Sequence, residues 1–509
     1  MLEKLEALVK QAKKGADAIT ARKGVVRMIS HYDADGIASA AIMAKALLRA
    51  NKKFHLTIVK QLTEEAVAGL SAEGADFLLI LDMGAGQLEL LDSRLPGTDI
   101  VILDHHQREG APGERTLHVN PMDFGIQEDI SGSGVAYLVA RAMSPGNRDL
   151  AGIAIIGAIG DSQAGSIGEK WGLFGINSEI LKDALETRKV RLWKGLRLWG
   201  RYTRPLYKAL AFSIDPLIPG VSGSESSAVQ FLNELHIEQK KGNGDWRTLS
   251  DLSEDEQKRL ASGMIAERVR AGHPNAEWIF GDVYELLDKG IDCKDAGEFA
   301  TLLNACGKMG KGYVGVELCL NVPRAFLESR WVMEKYRKAI GTAVRWLSDQ
   351  VEKANPRTVR KKDNGWYMLT GSIVGEHIIS NVMSIVEKSA GAGKPIFAFA
   401  DAQDGVKVSA RASDILVGRG LNLKAVCTFA AGKVGGRGGG HSGAAGATIP
   451  AGSEEAFMAA AEEYMSGDGR TNKSANGEKN IKPDPQANPT GENLHGTTAT
   501  AAEKTAAVE

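Results

Sequence analysis

Cysteine is scarce in this chain of 509 residues, and the four that occur (Cys293, Cys306, Cys319 and Cys427) form no C-x-x-C pair. A zinc ribbon is therefore excluded, and the cysteines read as buried or free thiols in a reducing compartment. No apolar run is long enough to span a bilayer. The opening segment, MLEKLEALVKQAKKGADAIT, is an amphipathic charged helix rather than the apolar core of a signal peptide. The expectation is a cytoplasmic protein without membrane contact. A surplus of charge is missing too. With a formal net charge of −1, the chain is no basic nucleic-acid coat, and any such contact must come from a local patch. There is no internal repeat.

An apolar content of 43% and a charged content of 25% suit ordinary globular domains, and the length suffices for about two to four of them. The first third alternates short apolar runs with helical patterns. VVRMIS (25–30), HLTIV (55–59), FLLILD (77–82) and IVILD (100–104) predict buried parallel strands, and IASAAIMAKALLRA a crossover helix. Together they predict an α/β domain with a doubly wound parallel sheet over 1–185. A mainly helical insert is expected over 186–355, ending in a long connecting helix over 324–354. The β pattern returns in WYMLTGSIV, PIFAFAD and VKVSARAS, so a mixed-sheet α/β domain is expected over 356–465. Residues 466–509 are polar and nearly free of large apolar side chains. They cannot bury enough surface to offset ordering entropy, which predicts a disordered tail.

Acids stand where the apolar runs end. The first strand runs into His31-Tyr32-Asp33-Ala34-Asp35-Gly36, another ends at Asp82, and a third at Asp104-His105-His106. The apolar stretch AGIAIIGAIG is followed by Asp161. In open α/β sheets ligands sit outside the carboxyl ends of the strands, so these residues should converge on one crevice. Clustered carboxylates repel one another unless cations lie among them. Carboxylate mixed with imidazole suits Mn2+, with Mg2+ or Zn2+ as alternatives. Two such ions about 3.5–4 Å apart can activate water and stabilise the leaving oxygen of a phosphate ester. Any one of these acids alone would read as a strand-end or cap residue; the set does not.

H-x-D-x-D-G, a lone Asp after an apolar strand, D-H-H and G-x-x-G-D, in that order, resemble the DHH phosphoesterase superfamily. The resemblance implies that Asp33 and Asp82 ligate one metal with His31 nearby. It implies that Asp35, Asp82, His105 and Asp161 ligate the other, so that Asp82 bridges. His106 would face the scissile phosphate, and Asp104 would orient the histidines.

Near the end of the patterned region, VGGRGGGHSGAAGATIP contains Gly438, Gly439, Gly440 and His441, and Arg411 ends a predicted strand. Consecutive glycines let backbone N–H groups turn toward an anion, and an arginine fork can clamp a phosphate. A flexible loop and a surface arginine fit the same residues. The resemblance extends to a DHH-associated domain, and it implies that these five residues bind the substrate nucleotide across the crevice.

Between 188 and 208 lie Arg188, Lys189, Arg191, Lys194, Arg197, Arg201, Arg204 and Lys208, with no acid among them and Trp193, Trp199, Tyr202 and Tyr207 interleaved. Leu192, Gly195, Leu196 and Trp199 have helical spacing. The pattern predicts a helix with Lys194, Arg197 and Arg201 on its far face, ended by Pro205. Such a face suits a phosphate backbone, and a solvated basic face over an aromatic core fits equally. The long insert, this segment and Leu302-Leu303-Asn304-Ala305-Cys306-Gly307 resemble the archaeal RecJ-like group. That implies a single-strand-specific exonuclease of DNA or RNA in replication and repair, and a possible GINS partner. The other readings are a small-molecule phosphodiesterase for nanoRNA or cyclic dinucleotides, and a replisome scaffold.

Overall fold

The computed structural model describes residues 2–467, apart from 127–129, 168–169, 214, 274 and 391–392. The expected disordered tail lies, from residue 468 on, outside the described residues.

Helix α1 (Leu2–Ala21) leads into five parallel strands: β1 (Val26–His31), β2 (Phe54–Val59), β3 (Phe77–Leu81), β4 (Asp99–Leu103) and β5 (Thr116–Val119). Their order, β2-β1-β3-β4-β5, reverses direction between β1 and β3. The run FLLIL of β3 is buried along its whole length, as a strand covered on both faces requires. Helices α1, α2 (Ala34–Arg49), α5 (Gly132–Met143) and α6 (Ala151–Gly160) cover one face through Leu8, Ile37, Val135 and Ile155. Helices α3 (Glu64–Glu73) and α4 (Leu88–Arg94) cover the other through Val67, Leu70, Leu88 and Leu91. The sheet is doubly wound, as expected, and β5 is a strand the apolar pattern did not announce. Small residues bring α2 and α6 close: a Cβ on Gly160 would lie 2.5 Å from that of Ala34. This contact carries Asp161, just past α6, to the start of α2.

A short hairpin, β6 (Gly165–Ile167) and β7 (Lys170–Gly172), and α7 (Gly175–Glu186) lead into the middle of the chain. Here the structure corrects the predicted basic helix. Residues 190–196 form strand β8 (Val190–Leu196), antiparallel to β9 (Phe280–Leu286). Pro205 precedes helix α8 (Leu206–Ala211) instead of ending one. The cause lies about ninety residues away. Arg191 is registered opposite Glu285, and Lys194 opposite Asp282. Both pairs are ion pairs, with Arg191 Nε 2.9 Å from Glu285 and Lys194 Nζ 2.5 Å from Asp282. Opposite charges facing across a ladder stabilise the strand. Helices α9 (Glu225–Glu234) and α10 (Glu254–Arg270) build a separate small core on Phe231, Leu260 and Met264.

Helices α11 (Ala296–Lys308) and α12 (Gly312–Cys319) return to the first domain. The expected long connector is α13 (Pro323–Glu352). The last sheet has the order β10-β11-β12-β13-β15-β14: β10 (Val359–Lys361), β11 (Trp366–Gly371), β12 (Ile396–Ala402), β13 (Gly405–Arg411), β14 (Arg437–Gly440) and β15 (Ala444–Ile449). It is mixed, since β11 and β12 are parallel and the other pairs antiparallel. Helix α14 (Ile379–Ala390) and α13 pack on one face. Helices α16 (Leu423–Lys433) and α17 (Glu454–Ser466) pack on the other, and the short α15 (Asp414–Gly418) follows β13. Among the described residues, no helix is long and apolar enough to cross a membrane.

Candidate metal centre

The carboxyl ends of β1, β3 and β4 meet at the point where strand order reverses, and the acids of the sequence pattern gather there. Asp82, directly after β3, has a left-handed backbone with φ of +56°, a strained conformation for a residue with a side chain. Its Oδ2 lies 3.4 Å from His31 Nδ1, which is 3.1 Å from Asp33. Its Oδ1 lies 3.4 Å from His105 Nε2, which is 3.8 Å from Asp35 and 3.6 Å from Asp161. One carboxylate thus has a His/Asp group on each side. His31, Asp33 and Asp82 form one compact set of potential ligands, and Asp35, His105 and Asp161 another. A third combines Asp82 with His105 and His106.

The surroundings fix these side chains. Asp35, in the first turn of α2, accepts from the backbone N–H of Gly132 at 2.6 Å and of Ser133 at 3.0 Å, at the start of α5. Gly132 must be glycine, because a Cβ there would sit 2.5 Å from Asp82 Oδ1. The buried Asp104 accepts from the backbone N–H of His105 (2.8 Å), His106 (3.2 Å) and Ala85 (2.8 Å) and bonds His106 Nδ1 at 2.8 Å. It orients the His106 ring, whose side chain is 55% exposed. Asn120 donates to the His106 carbonyl at 2.9 Å. Gln163 donates to Asp161 at 2.8 Å.

The donor set fits divalent cations. His31 Nδ1, both oxygens of Asp82 and His105 Nε2 are buried without hydrogen-bond partners; they make up four of the seven such side-chain atoms among the described residues. Buried polar atoms are normally satisfied, so four such atoms on neighbouring side chains fit a shared cationic partner. Burial opposes charge on His105, yet Asp82, Asp35 and Asp161 outweigh it and raise its pKa to about 10. Burial is likewise outweighed at His31 by Asp33 and Asp82, and its pKa lies well above the ordinary value. Burial first, and neighbouring carboxylates second, push Asp82 and Asp161 above the usual carboxylate range. In the metal-free chain two imidazolium ions supply the positive charge that cations would bring.

Helix α11 packs directly on the loop that follows β1. Gly307 packs so tightly on the Tyr32 carbonyl that no Cβ would fit, and Asn304 accepts from the Ala34 N–H at 2.9 Å. Lys308 reaches over to Asn381 on α14. Burial lowers the Lys308 pKa; Asp33 opposes that shift and Arg411 adds to it. Arg411 is held by Ser384 Oγ (2.8 Å) and the Ser380 carbonyl (3.1 Å) on α14. Opposite it in the ladder is Ala444, at the start of β15.

The DHH family, N-terminal domain, matches residues 25–158, the DHH-CID domain 198–278 and the DHHA1 domain 367–467. The uncharacterized protein MJ0831 of Methanocaldococcus jannaschii is 31% identical over 473 residues, 91% of this chain and 99% of that protein. The chain belongs to the RecJ-like DHH superfamily. The single-stranded-DNA-specific exonuclease RecJ of Thermus thermophilus is 27% identical over 223 residues, 41% of this chain and 32% of RecJ. Its structure with Mn2+ has the same fold over 90% of this chain and 55% of that one (TM-score 0.54, 18% identity). CDC45 from Entamoeba histolytica also shares the fold, over 91% of this chain and 98% of that one (TM-score 0.59, 11% identity).

Within this DHH protein, the seven residues His31, Asp33, Asp35, Asp82, Asp104, His105 and Asp161 stand in one cluster, with His106 at its rim. Arg411 sits in the last domain, bonded to α14, the helix whose Asn381 receives Lys308. Gly438, Gly439 and Gly440 are an edge strand rather than a loose loop. A Cβ on Gly438 would come 2.3 Å from the Cys427 carbonyl, so the glycines let α16 lie against the hairpin. His441 is exposed in the following turn, its N–H donating to the Ala444 carbonyl at 2.8 Å. Among the described residues, no polar contact joins it to the acidic cluster. Lys308 was not singled out from sequence, although the run Leu302 to Gly307 ends directly before it.

Proposed function

We propose that this protein is a phosphodiesterase that uses two divalent cations, Mn2+ foremost and Mg2+ next, to cleave single-stranded DNA or RNA from an end. The observation that carries the reading is Asp82, whose two buried and unpartnered oxygens each face a separate His/Asp group. His31, Asp33 and Asp82 would hold one cation, and Asp35, Asp82, His105 and Asp161 the other. Bound there, the cations would supply a water of lowered pKa and Lewis-acid stabilisation of the phosphoryl oxygens.

The chain's own side chains complete the site. The Asp104 carboxylate raises the His106 pKa, so a protonated Nε2 at the rim can donate to a non-bridging phosphate oxygen. Lys308 and Arg411 approach from the far side and would bind the neighbouring phosphate, with the Gly438–Gly440 strand and His441 beside them. The likeness to a protein named as a single-stranded-DNA-specific exonuclease supports a polynucleotide substrate. A role in replication or repair, and contact with GINS, belong to the same proposal. A GINS scaffold without hydrolysis would not need an intact ligand set.

The test uses DNA and RNA oligonucleotides labelled at either end, incubated with Mn2+. A ladder shortening from one end is expected, and Asp82→Ala should abolish it. Retained cleavage in that variant would sink the assignment. Cleavage confined to dinucleotides would replace it with the small-molecule reading.

A further inference from the structure

The basic segment of the sequence is mostly neutralised in the fold. Arg191, Lys194 and Lys189 pair with Glu285, Asp282 and Asp288, and Arg197 pairs with Asp215. Arg201 is buried, donating to the Leu196 carbonyl and lying over Trp193. Arg204 is different. Its guanidinium stacks 4.0 Å from the centre of the Trp199 ring, and a second arginine, Arg337 of α13, lies 5.4 Å from the same ring. Among the described residues neither guanidinium has a hydrogen-bond or ion-pair partner. Phe212, 57% exposed, lies 5.6 Å from Arg204.

The loop that carries Arg204 is built with care. The buried Glu298 of α11 accepts from the N–H of Gly200 (2.8 Å) and Arg201 (2.9 Å) and from Thr203 Oγ1 (3.0 Å). Its carboxylate is thereby occupied and does not bind either arginine. Gly200 has φ of +90°, and a Cβ there would strike the Arg204 stem at 2.5 Å. Burial and the charge of Arg337 lower the Arg204 pKa to about 10, and nearby Glu298 offsets only part of this; since arginine keeps its proton, the shift reports an incompletely compensated cation. Two adjacent cations on a half-buried indole, neither bonded to a carboxylate, suit a phosphodiester with a base stacked beside it.

The position also suits a strand. Helix α11 carries Glu298 near its start and Lys308 at its end, about ten residues or ~15 Å apart. Tyr336, next to Arg337, lies within electrostatic reach of Tyr32 in the metal-site loop. We infer that Trp199, Arg204 and Arg337 form a remote subsite that grips one phosphate and base of a single nucleic-acid strand, a short stretch away from the end being cleaved. This rests on the phosphodiesterase reading above.

The test measures binding of a labelled single strand of about 12 nucleotides to the full chain in EDTA, by fluorescence anisotropy across a salt series. Hydrolysis of a dinucleotide with Mn2+ is followed in parallel. Arg337→Gln, on an exposed helix face, should weaken binding several-fold. Each arginine removed should lower the slope of log affinity against log salt by about 0.7, so Arg204→Gln/Arg337→Gln should lose about 1.4. Dinucleotide hydrolysis should stay at the wild-type rate in Arg337→Gln. Unchanged affinity and slope in Arg337→Gln overturn this inference and leave the catalytic reading intact. A wild-type chain that binds no strand and hydrolyses nothing overturns both.

Discussion

Asp82 Oδ1 and His105 Nε2 lie 3.4 Å apart, both buried and both without a hydrogen-bond partner. Their charges compensate each other only in part, since burial holds the Asp82 carboxyl above its usual range, and a cation sharing both sets of lone pairs would satisfy them better.

Asp82→Asn should separate the two effects. Cleavage should fall by about three orders of magnitude or more if Asp82 serves both cations as proposed. The metal-free variant should melt about 2–4 °C higher than wild type, because one buried charge is gone. Mn2+ should raise the melting temperature of wild type and not of the variant. Differential scanning calorimetry in EDTA and in Mn2+ reads both effects; an unchanged metal response in the variant would remove Asp82 from the ligand set.

The site also makes stability depend on pH. Folding raises the His105 pKa from an ordinary value near 6.5 to about 10. Its contribution to the metal-free chain is therefore full below about pH 6.5 and lost as pH rises toward 10. His31, Asp82 and Asp161 are raised as well and act in the same sense. Mn2+ bound at these residues would displace their protons, so its stabilising increment should grow between about pH 6 and 9. Melting curves with and without metal check this, and an increment that shrinks with pH contradicts it.

Asp104→Asn should act through His106. The carboxylate that bonds its Nδ1 at 2.8 Å is replaced by a neutral amide. A loss of about 10–100-fold in kcat is expected, with the Mn2+ melting increment near wild type. The raised His106 pKa should fall, moving the alkaline limb of the pH–rate profile to lower pH, because the ring acts as a protonated donor. Loss of metal binding instead would make Asp104 a support of the ligands.

Glu285→Ala tests the strand pair of the insert. Glu285 is 1% exposed and receives both Arg191 and Lys294, the latter at 2.7 Å. Removing it should cost about 2–3 kcal/mol in urea unfolding and leave dinucleotide hydrolysis unchanged. A neutral effect on stability would show that this pairing does not hold β8 in place.

Several features were legible without coordinates. FLLILD and IVILD read as buried strands because continuous apolar runs fit a sheet covered on both faces. Their terminal acids marked the crevice because strand carboxyl ends open there. The basic stretch of 188–208 misled for an equally physical reason. Its local spacing fits a helix, but Glu285 and Asp282, which settle its conformation as a strand, stand about ninety residues away. Lys308 carried no local signal, since one lysine at a helix end is ordinary.

The sequence by itself determined the doubly wound sheet, the long connector α13 and the set of acids and histidines. These follow from periodicity and from residue types that recur at strand ends. Only the tertiary structure decided that Asp82 presents one oxygen to His31 and the other to His105. It alone joined Lys308 of α11 to Asn381 of α14, and left Arg204 and Arg337 unpaired on one indole. Each of these depends on where side chains distant in sequence come to rest, and packing and charge compensation settle that only when the whole chain is folded.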